Sequence, residues 1–354
     1  ANKGVAIAYD SRRMSPEFAN ETALCLNANG IKAYVFESLR PTPELSFTVR
    51  ELGCIAGVVI TASHNPAEYN GYKVYWEDGA QVTYPKDVEI IAEVNAITDY
   101  SVVKTMNKEE AIQKGLYQVI GSEIDDKYIA QLKKLVLNPV AEECKDLKIV
   151  YTPLNGTGNL PVRRILKELG FENVYVVPEQ EMPDSNFTTV GYPNPEDPKV
   201  FALGKKLAEE VGADIILATD PDADRLGVQI RDDKGEFRLL TGNMSGAFIA
   251  EYVFSQRAAH NTLPKNAALV KTIVTGGLAD KIAEKYGATL IEVLTGFKYI
   301  GEQIKLFEQT GSHEFVFGFE ESYGCLVGTH SRDKDAIVAV MMFCEAAAYY
   351  PKPG

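Results

Sequence analysis

Short apolar runs alternate with longer amphipathic stretches along most of the chain. GVAIAYD (4–10) is β-rich and apolar. SPEFANETALCLNANG then follows helical spacing, with Ser15 as the expected N-cap, Pro16 at the first helical position and Gly30 as the stop. The unit recurs in KAYVF (32–36), a helix opening at Thr42-Pro43 and stopping at Gly53, and the apolar run IAGVVI (55–60). Strands separated by helices predict a parallel sheet, because a parallel pair needs a crossover rather than a tight turn. Two helical segments follow, PKDVEIIAEVNAI (85–97) and EIDDKYIAQLKKLVL (123–137), with the polar stretch near 100–122 as the expected linker. A second set starts at LKIVYTP (147–153) and continues through LPVRRILKELG, NVYVV, FALGKKLAEEVG and ADIILATD. A third starts after the turn DDKGE (232–236), with a helix through GAFIAEYVF and then AALVKTIVTGG, ATLIEVLTG and FVFGFEESYG. The fold class expected is α/β: three consecutive similar α/β/α modules over 1–122, 123–238 and 239–354. Their sheets are mixed but mainly parallel, with the active-site loops at one edge.

Composition adds limits to that picture. A chain of 354 residues with 45% hydrophobic content has enough apolar material for several packed cores. Its formal net charge of -13 argues against nucleic acid as a partner, since phosphate backbones are bound by clustered Lys and Arg. No apolar run approaches the roughly 18 residues of a membrane span, so no membrane association is expected. Cys25, Cys54, Cys144, Cys325 and Cys344 are odd in number and widely spaced, which fits core residues in a reducing, cytoplasmic setting.

The strongest chemical signal is TDPDADR (219–225), directly after the apolar strand segment DIILA. Asp220, Asp222 and Asp224 lie close enough to repel one another unless a cation neutralises them, and a hard divalent ion is the natural one. The pattern is no EF-hand loop, whose sixth and twelfth positions would be Gly and Glu but are Arg225 and Arg231 here. The alternative is a solvated acidic turn, against which the preceding core strand and the adjacent planar cation of Arg225 both weigh. TASHNPAEYNGYK (61–73) puts Ser63, His64 and Lys73 at the end of IAGVVI. Asn65-Pro66 and Asn70-Gly71 allow a plain turn between strands, while Ser63 at a sheet's carboxyl edge allows a phosphate carrier. TGFKYIG (295–301) and GFEESYG (318–324) bring Lys298, Glu320, Glu321 and Ser322 to the same edge, where carboxylates and a hydroxyl suit sugar hydroxyls. NGTGN (155–159) lacks the third small residue of a dinucleotide loop, because Pro161 stands there.

TASHNP, DPDADR, TGFK and GFEESYG, in this order, resemble the loop set of the α-D-phosphohexomutases, most nearly its bacterial phosphoglucomutase branch, over essentially the whole sequence. The resemblance implies three α/β domains and a smaller fourth around a cleft. It implies that Ser63 carries a phosphoryl group, and that Asp220, Asp222 and Asp224 hold Mg²⁺ together with a phosphate oxygen on Ser63. Arg225 would bind the same phosphoryl group, and Lys73 or His64 would shuttle the proton. Glu320 and Ser322 would grip sugar hydroxyls, with Thr295, Gly296, Lys298 and Lys334 near the substrate. The implied reaction interconverts glucose 1-phosphate and glucose 6-phosphate, with glucose 1,6-bisphosphate as intermediate and activator. Mannose or pentose phosphates remain alternatives, as does a non-catalytic sugar-phosphate binder, although a binder has no need of a phosphoryl carrier. Both ends depart from the family pattern: the chain starts in a strand without the glycine-rich first segment and stops at YYPKPG without an R-x-S-G/N-T stretch. The expectation is a fragment that folds and binds Mg²⁺ but turns over little.

Overall fold

The computed structural model describes residues 3–139 and 146–350. Its first sheet contains β1 (Val5–Tyr9), β2 (Ala33–Phe36), β3 (Ala56–Ile60), β4 (Tyr72–Trp76) and β5 (Tyr117–Ile120), in the order β4-β3-β1-β2-β5. Only β4 runs antiparallel to its neighbour. Helices α1 (Ser15–Ala28) and α2 (Thr42–Glu51) make the crossovers, and α3 (Lys86–Ala96), α4 (Lys108–Gln113) and α5 (Ser122–Lys133) follow the hairpin.

Two sequence expectations need correction here. The stretch 100–122 is no linker, because it contains α4 and β5, and β5 pairs in parallel with β2 to close the sheet. Its four residues, YQVI, bury only Tyr117 and Ile120, so the apolar signal is too short to stand out from its polar surroundings. Ser15 is the first helical residue rather than the N-cap. Met14 occupies the cap position with φ 66°, and the Ser15 hydroxyl donates to Asp10 instead.

The second sheet runs β10 (Phe237–Leu239), β9 (Leu226–Arg231), β8 (Ile215–Thr219), β6 (Ile149–Thr152), β7 (Val174–Val176), covered by α6 (Asn159–Glu168), the short α7 (Pro178–Glu181) and α8 (Ala202–Val211). The third runs β12 (Thr289–Val293), β11 (Ala267–Thr272), β13 (Glu314–Glu320), β14 (Gly324–Val327), with α9 (Gly242–Ala259), α10 (Leu278–Tyr286), α11 (Phe297–Thr310) and α12 (Ala336–Tyr349). Each sheet therefore has a parallel core that ends in an antiparallel hairpin, β3–β4, β8–β9 and β13–β14, and the second sheet adds a further antiparallel strand, β10, beside β9. The three hairpin loops are TASHNPAEYNG, DPDADR and ESY, so the chemistry of each module occupies the equivalent turn.

The modules share one core. Phe36 and Phe47 of the first, Leu166 and Leu217 of the second and Phe317 and Phe343 of the third belong to one continuous apolar cluster. Helix α12 is apolar on nearly every side because it is buried on nearly every side, from Ala336 to Ala346, against α6 and α9. Backbone hydrogen bonds cross the seams: Thr42 N to Asp222 O, Leu226 N to Tyr323 O, and Ala336 N to Ala223 O. Cys54, Cys325 and Cys344 are buried thiols and Cys25 is half-buried, whereas Cys144 lies outside the described residues. Among the described residues no helix is long and apolar enough to cross a membrane.

Candidate active site

The three hairpin loops converge. Ser63, Ala223 and Tyr323, one in each loop, all adopt left-handed backbone (φ 51°, 52° and 67°), a conformation that non-glycine residues hold only where their surroundings enforce it. Gly71 answers a different demand, since a Cβ there would stand 2.5 Å from Thr61 O across the neck of the serine loop. The turn brings Ser63 Oγ to 2.8 Å from Asp220 Oδ2 and 3.2 Å from His64 Nδ1.

Asp220, Asp222 and Asp224 are 0 to 1% exposed, and one oxygen from each lies within 4.8 Å of the others. Cations from all three modules surround them. Lys73 Nζ on β4 is 2.8 Å from Asp222 Oδ2, and Lys334 Nζ is 3.1 Å from Asp224 Oδ2. Arg225 Nε is 3.8 Å from Asp224 Oδ1, and its Nη1 donates to Glu196 at 2.9 Å. Thr42, at the start of α2, adds a neutral donor to Asp222 Oδ2 at 2.9 Å.

Burial, then the charges of Asp222 and Asp224, push the Asp220 carboxyl well above its ordinary range. Burial also opposes ionisation of Asp222, but the Lys73 ammonium together with hydrogen bonds from Asp220, Lys73 and Thr42 holds that carboxyl low. Burial disfavours both ammonium groups, yet Asp222 and Asp224 raise Lys73, and Asp224 and Asp333 raise Lys334. Burial and the charge of Arg225 pull His64 down to about 4, so its imidazole is neutral at neutral pH.

A hard divalent cation fits this donor set. Asp222 Oδ1 and Asp224 Oδ1 are buried without a hydrogen-bond partner, which is costly for a carboxylate unless a cation takes the lone pairs.

The sugar-loop residues divide. Burial raises Glu320 against the opposing charge of Lys334, whose Nζ lies 3.8 Å from Glu320 Oε1. The nearby Ser322 hydroxyl also opposes that rise. Glu321 turns away and accepts from the hydroxyls of Thr272 (3.0 Å) and Thr275 (3.2 Å). Thr295 and Gly296 lead into α11, with Thr295 exposed. Lys298 does not join the acidic cluster. Its Nζ lies 3.6 Å from Asp87 Oδ2, in a separate groove of about 430 Å³ that Trp76 and Lys86 also line.

Sequence reasoning missed Asp10, Arg12, Thr42, Glu196 and Asp333. Asp333 accepts from Tyr75 at 2.6 Å and from Lys334 at 3.3 Å, which orders the lysine from behind. For Asp10 and Arg12 a signal existed: they follow the carboxyl end of β1, the edge that carries every other loop of the site.

Three fused α/β/α units whose equivalent hairpin loops converge on one buried acidic cleft define the architecture of the α-D-phosphohexomutases. The chain belongs to the phosphoglucomutase/phosphomannomutase family: its α/β/α domain I matches residues 1–101, domain II 126–235 and domain III 241–353. A phosphoglucomutase of Staphylococcus epidermidis is 40% identical over 356 residues, covering 100% of this chain and 63% of that protein. The Mus musculus glucose 1,6-bisphosphate synthase is 38% identical over 359 residues, covering 98% of this chain and 57% of its own length. The chain thus spans less than two thirds of these relatives. Among solved structures, the open form of Paramecium pp63/parafusin, a phosphoglucomutase, aligns with a TM-score of 0.74 at 23% identity, covering 98% of this chain and 64% of that one. That likeness concerns the fold.

Proposed function

We propose that Ser63 carries a phosphoryl group and that the protein interconverts glucose 1-phosphate and glucose 6-phosphate through glucose 1,6-bisphosphate. The observation that carries this reading is the 2.8 Å contact between Ser63 Oγ and Asp220 Oδ2, inside a buried triad with two carboxylate oxygens that lack a hydrogen-bond partner. Family membership supports the choice of a sugar phosphate, and the named relatives favour glucose.

Mg²⁺, held by Asp220, Asp222 and Asp224, would neutralise charge on the phosphoryl oxygens during transfer. Phospho-Ser63 gives its phosphoryl group to the sugar's O6: the bond from phosphorus to Ser63 Oγ breaks, a bond to O6 forms, and the O6 proton passes to the freed Ser63 Oγ. After the bisphosphate turns over, Ser63 Oγ attacks the phosphoryl group at the other end, the bond from phosphorus to the sugar's O1 breaks, and O1 takes up the proton that Ser63 Oγ gives up. The neutral His64 Nδ1, 3.2 Å away, is placed to relay that proton, whereas Lys73 stays protonated and acts as a fixed cation. Lys334 and Arg225 add positive charge around the transferring group. Glu320 and Ser322 receive the sugar hydroxyls, with Thr295 and Gly296 at the rim.

The test is intact-mass and phosphopeptide mapping of the protein, joined to a coupled assay of glucose, mannose and ribose 1-phosphates. Phosphate on Ser63 with preferred turnover of the glucose substrate is the expected result. An unphosphorylated Ser63 in an active enzyme would refute the carrier assignment, and preference for mannose or ribose would correct the substrate.

A further inference from the structure

Arg12 is 2% exposed and is aimed at the backbone of the serine loop. Its Nη1 donates to Pro66 O (2.8 Å) and Tyr69 O (3.0 Å), and its Nη2 to Ser63 O (2.6 Å) and Asn65 O (2.5 Å). The terminal nitrogens of a guanidinium carry four N–H protons, so those four carbonyls use all of them. Nε faces Asp10 Oδ2 at 3.2 Å, and the other Asp10 oxygen accepts from Arg12 N (2.9 Å) and the Ser15 hydroxyl (2.8 Å). Asn70, at the far end of the loop, closes the ring by donating to Ser15 Oγ at 2.9 Å. Phe187 of the second module covers the guanidinium, with its ring centre 5.1 Å from Cζ.

A buried arginine can serve as simple scaffold, but the choice of acceptors here is selective. All four carbonyls belong to residues 63–69 of one loop, and one belongs to Ser63 itself, the residue in left-handed backbone. Asn65 and Tyr69 expose their side chains, so the loop has little apolar packing of its own to hold it. A planar fork with four outward N–H groups fixes such a turn, whereas an ammonium offers three donors from a single point.

We propose that Arg12 is a positioning residue for phosphoryl transfer, whose guanidinium fixes the serine loop so that Ser63 Oγ keeps its aim at the acidic triad. The proposal rests on the assignment of Ser63 as carrier. One oxygen must donate to one end of the sugar and accept from the other, and a misplacement of about 1 Å costs on the order of a hundredfold in rate.

The test compares wild-type protein with Arg12→Lys and Arg12→Gln, measuring amide exchange across residues 61–71 and steady-state turnover of glucose 1-phosphate. In Arg12→Lys, exchange in the loop should quicken at least about tenfold while exchange in the sheets stays unchanged, since lost hydrogen bonds open the loop locally. Its kcat should fall on the order of a hundredfold with KM within about threefold. The concentration of Mg²⁺ giving half-maximal rate should stay within about twofold, because the triad is untouched. Arg12→Gln should lose more on both measures.

Wild-type exchange in the loop or wild-type kcat in Arg12→Lys overturns the proposal, as does a rise in KM that accounts for the lost kcat/KM. Loss of protection throughout the molecule, or failure of both variants to fold, makes Arg12 a scaffold residue and overturns it equally. If wild-type protein carries no phosphate on Ser63, the carrier assignment fails by itself, and the exchange measurement still decides whether Arg12 holds the loop.

Discussion

Lys298 lies in the first turn of α11 and Lys334 just before α12, and their ammonium groups go opposite ways. Lys334 enters α12 beneath the cleft with 12% of its side chain exposed, 3.1 Å from Asp224 and over the Phe297 ring at 5.6 Å. Lys298, the next residue after that phenylalanine, has 29% of its side chain exposed, pairs with Asp87 at 3.6 Å and lies over its own neighbour Tyr299 at 5.2 Å. Successive residues of a helix point about 100° apart, so burying Phe297 under the cleft turns Lys298 away from it. Proximity to the sheet edge did not decide which lysine joins the acidic cluster. The packing of one aromatic ring did.

The comparison matters only if the acidic cleft is where the chemistry happens, and the most severe test addresses that first. Ser63→Ala should remove covalent phosphate and lower mutase turnover by at least ~10³-fold, as loss of a nucleophile does. A variant with near-normal turnover would empty the cleft of meaning. Asp222→Asn keeps the size of a triad ligand but removes its charge, so Mg²⁺ affinity and rate should fall together, each on the order of a hundredfold. An unchanged Mg²⁺ titration contradicts the ligand assignment.

The lysines can then be set against each other. Lys334→Met removes the nearest of the cations around Asp224, leaving Lys73 at 3.6 Å and Arg225 at 3.8 Å, so activity should drop on the order of 100-fold. Lys298→Met breaks a partly exposed pair worth about 0 to 1 kcal/mol and should cost less than ~5-fold. Equal losses in kcat/KM for both variants would break the comparison.

Glu320 and Glu321 repeat the contrast on a smaller scale. Glu321→Gln weakens two hydroxyl contacts outside the cleft and should destabilise the protein by about 1 kcal/mol, read as a shift in urea midpoint, with turnover nearly unchanged. His64 supplies the mildest test. Its folded pKa is about 4 against an ordinary 6.5, so between those values the unfolded chain binds the extra proton. Stability from this group is therefore complete above about pH 6.5 and is lost as pH falls towards about 4. Across that interval the urea midpoint of His64→Gln should fall less with acid than that of the wild type. Identical slopes would show that burial of the imidazole has no such effect.

The strand and helix alternation was legible because each core strand is a compact apolar run bounded by turn residues, as in IAGVVI and ADIILATD. Strand β5 was not, because pairing with β2 supplies the stability that its four residues lack as a pattern. The loops TASHNP and DPDADR stood out because hydroxyl, imidazole and carboxylates rarely follow core strands without a task. Arg12 did not stand out, because nothing in YDSRRM says that its guanidinium passes beneath a loop some fifty residues further on (|i−j| = 51 to Ser63). Thr42 and Asp333 were hidden for the same reason, since each acquires its partner across a seam between modules.

Composition, periodicity and short motifs thus determined the module count, the strand and helix grammar and the residue types able to handle phosphate. Those are local properties, carried by neighbours in the chain. The tertiary structure decided the rest: that Ser63 meets Asp220 across 157 positions, that Lys334 rather than Lys298 joins the triad, and that Arg12 grips the serine loop. Such contacts depend on how three sheets and α12 pack around one core, and the direction of a side chain at a seam follows from the faces those units bury, a long-range quantity that no window of sequence contains.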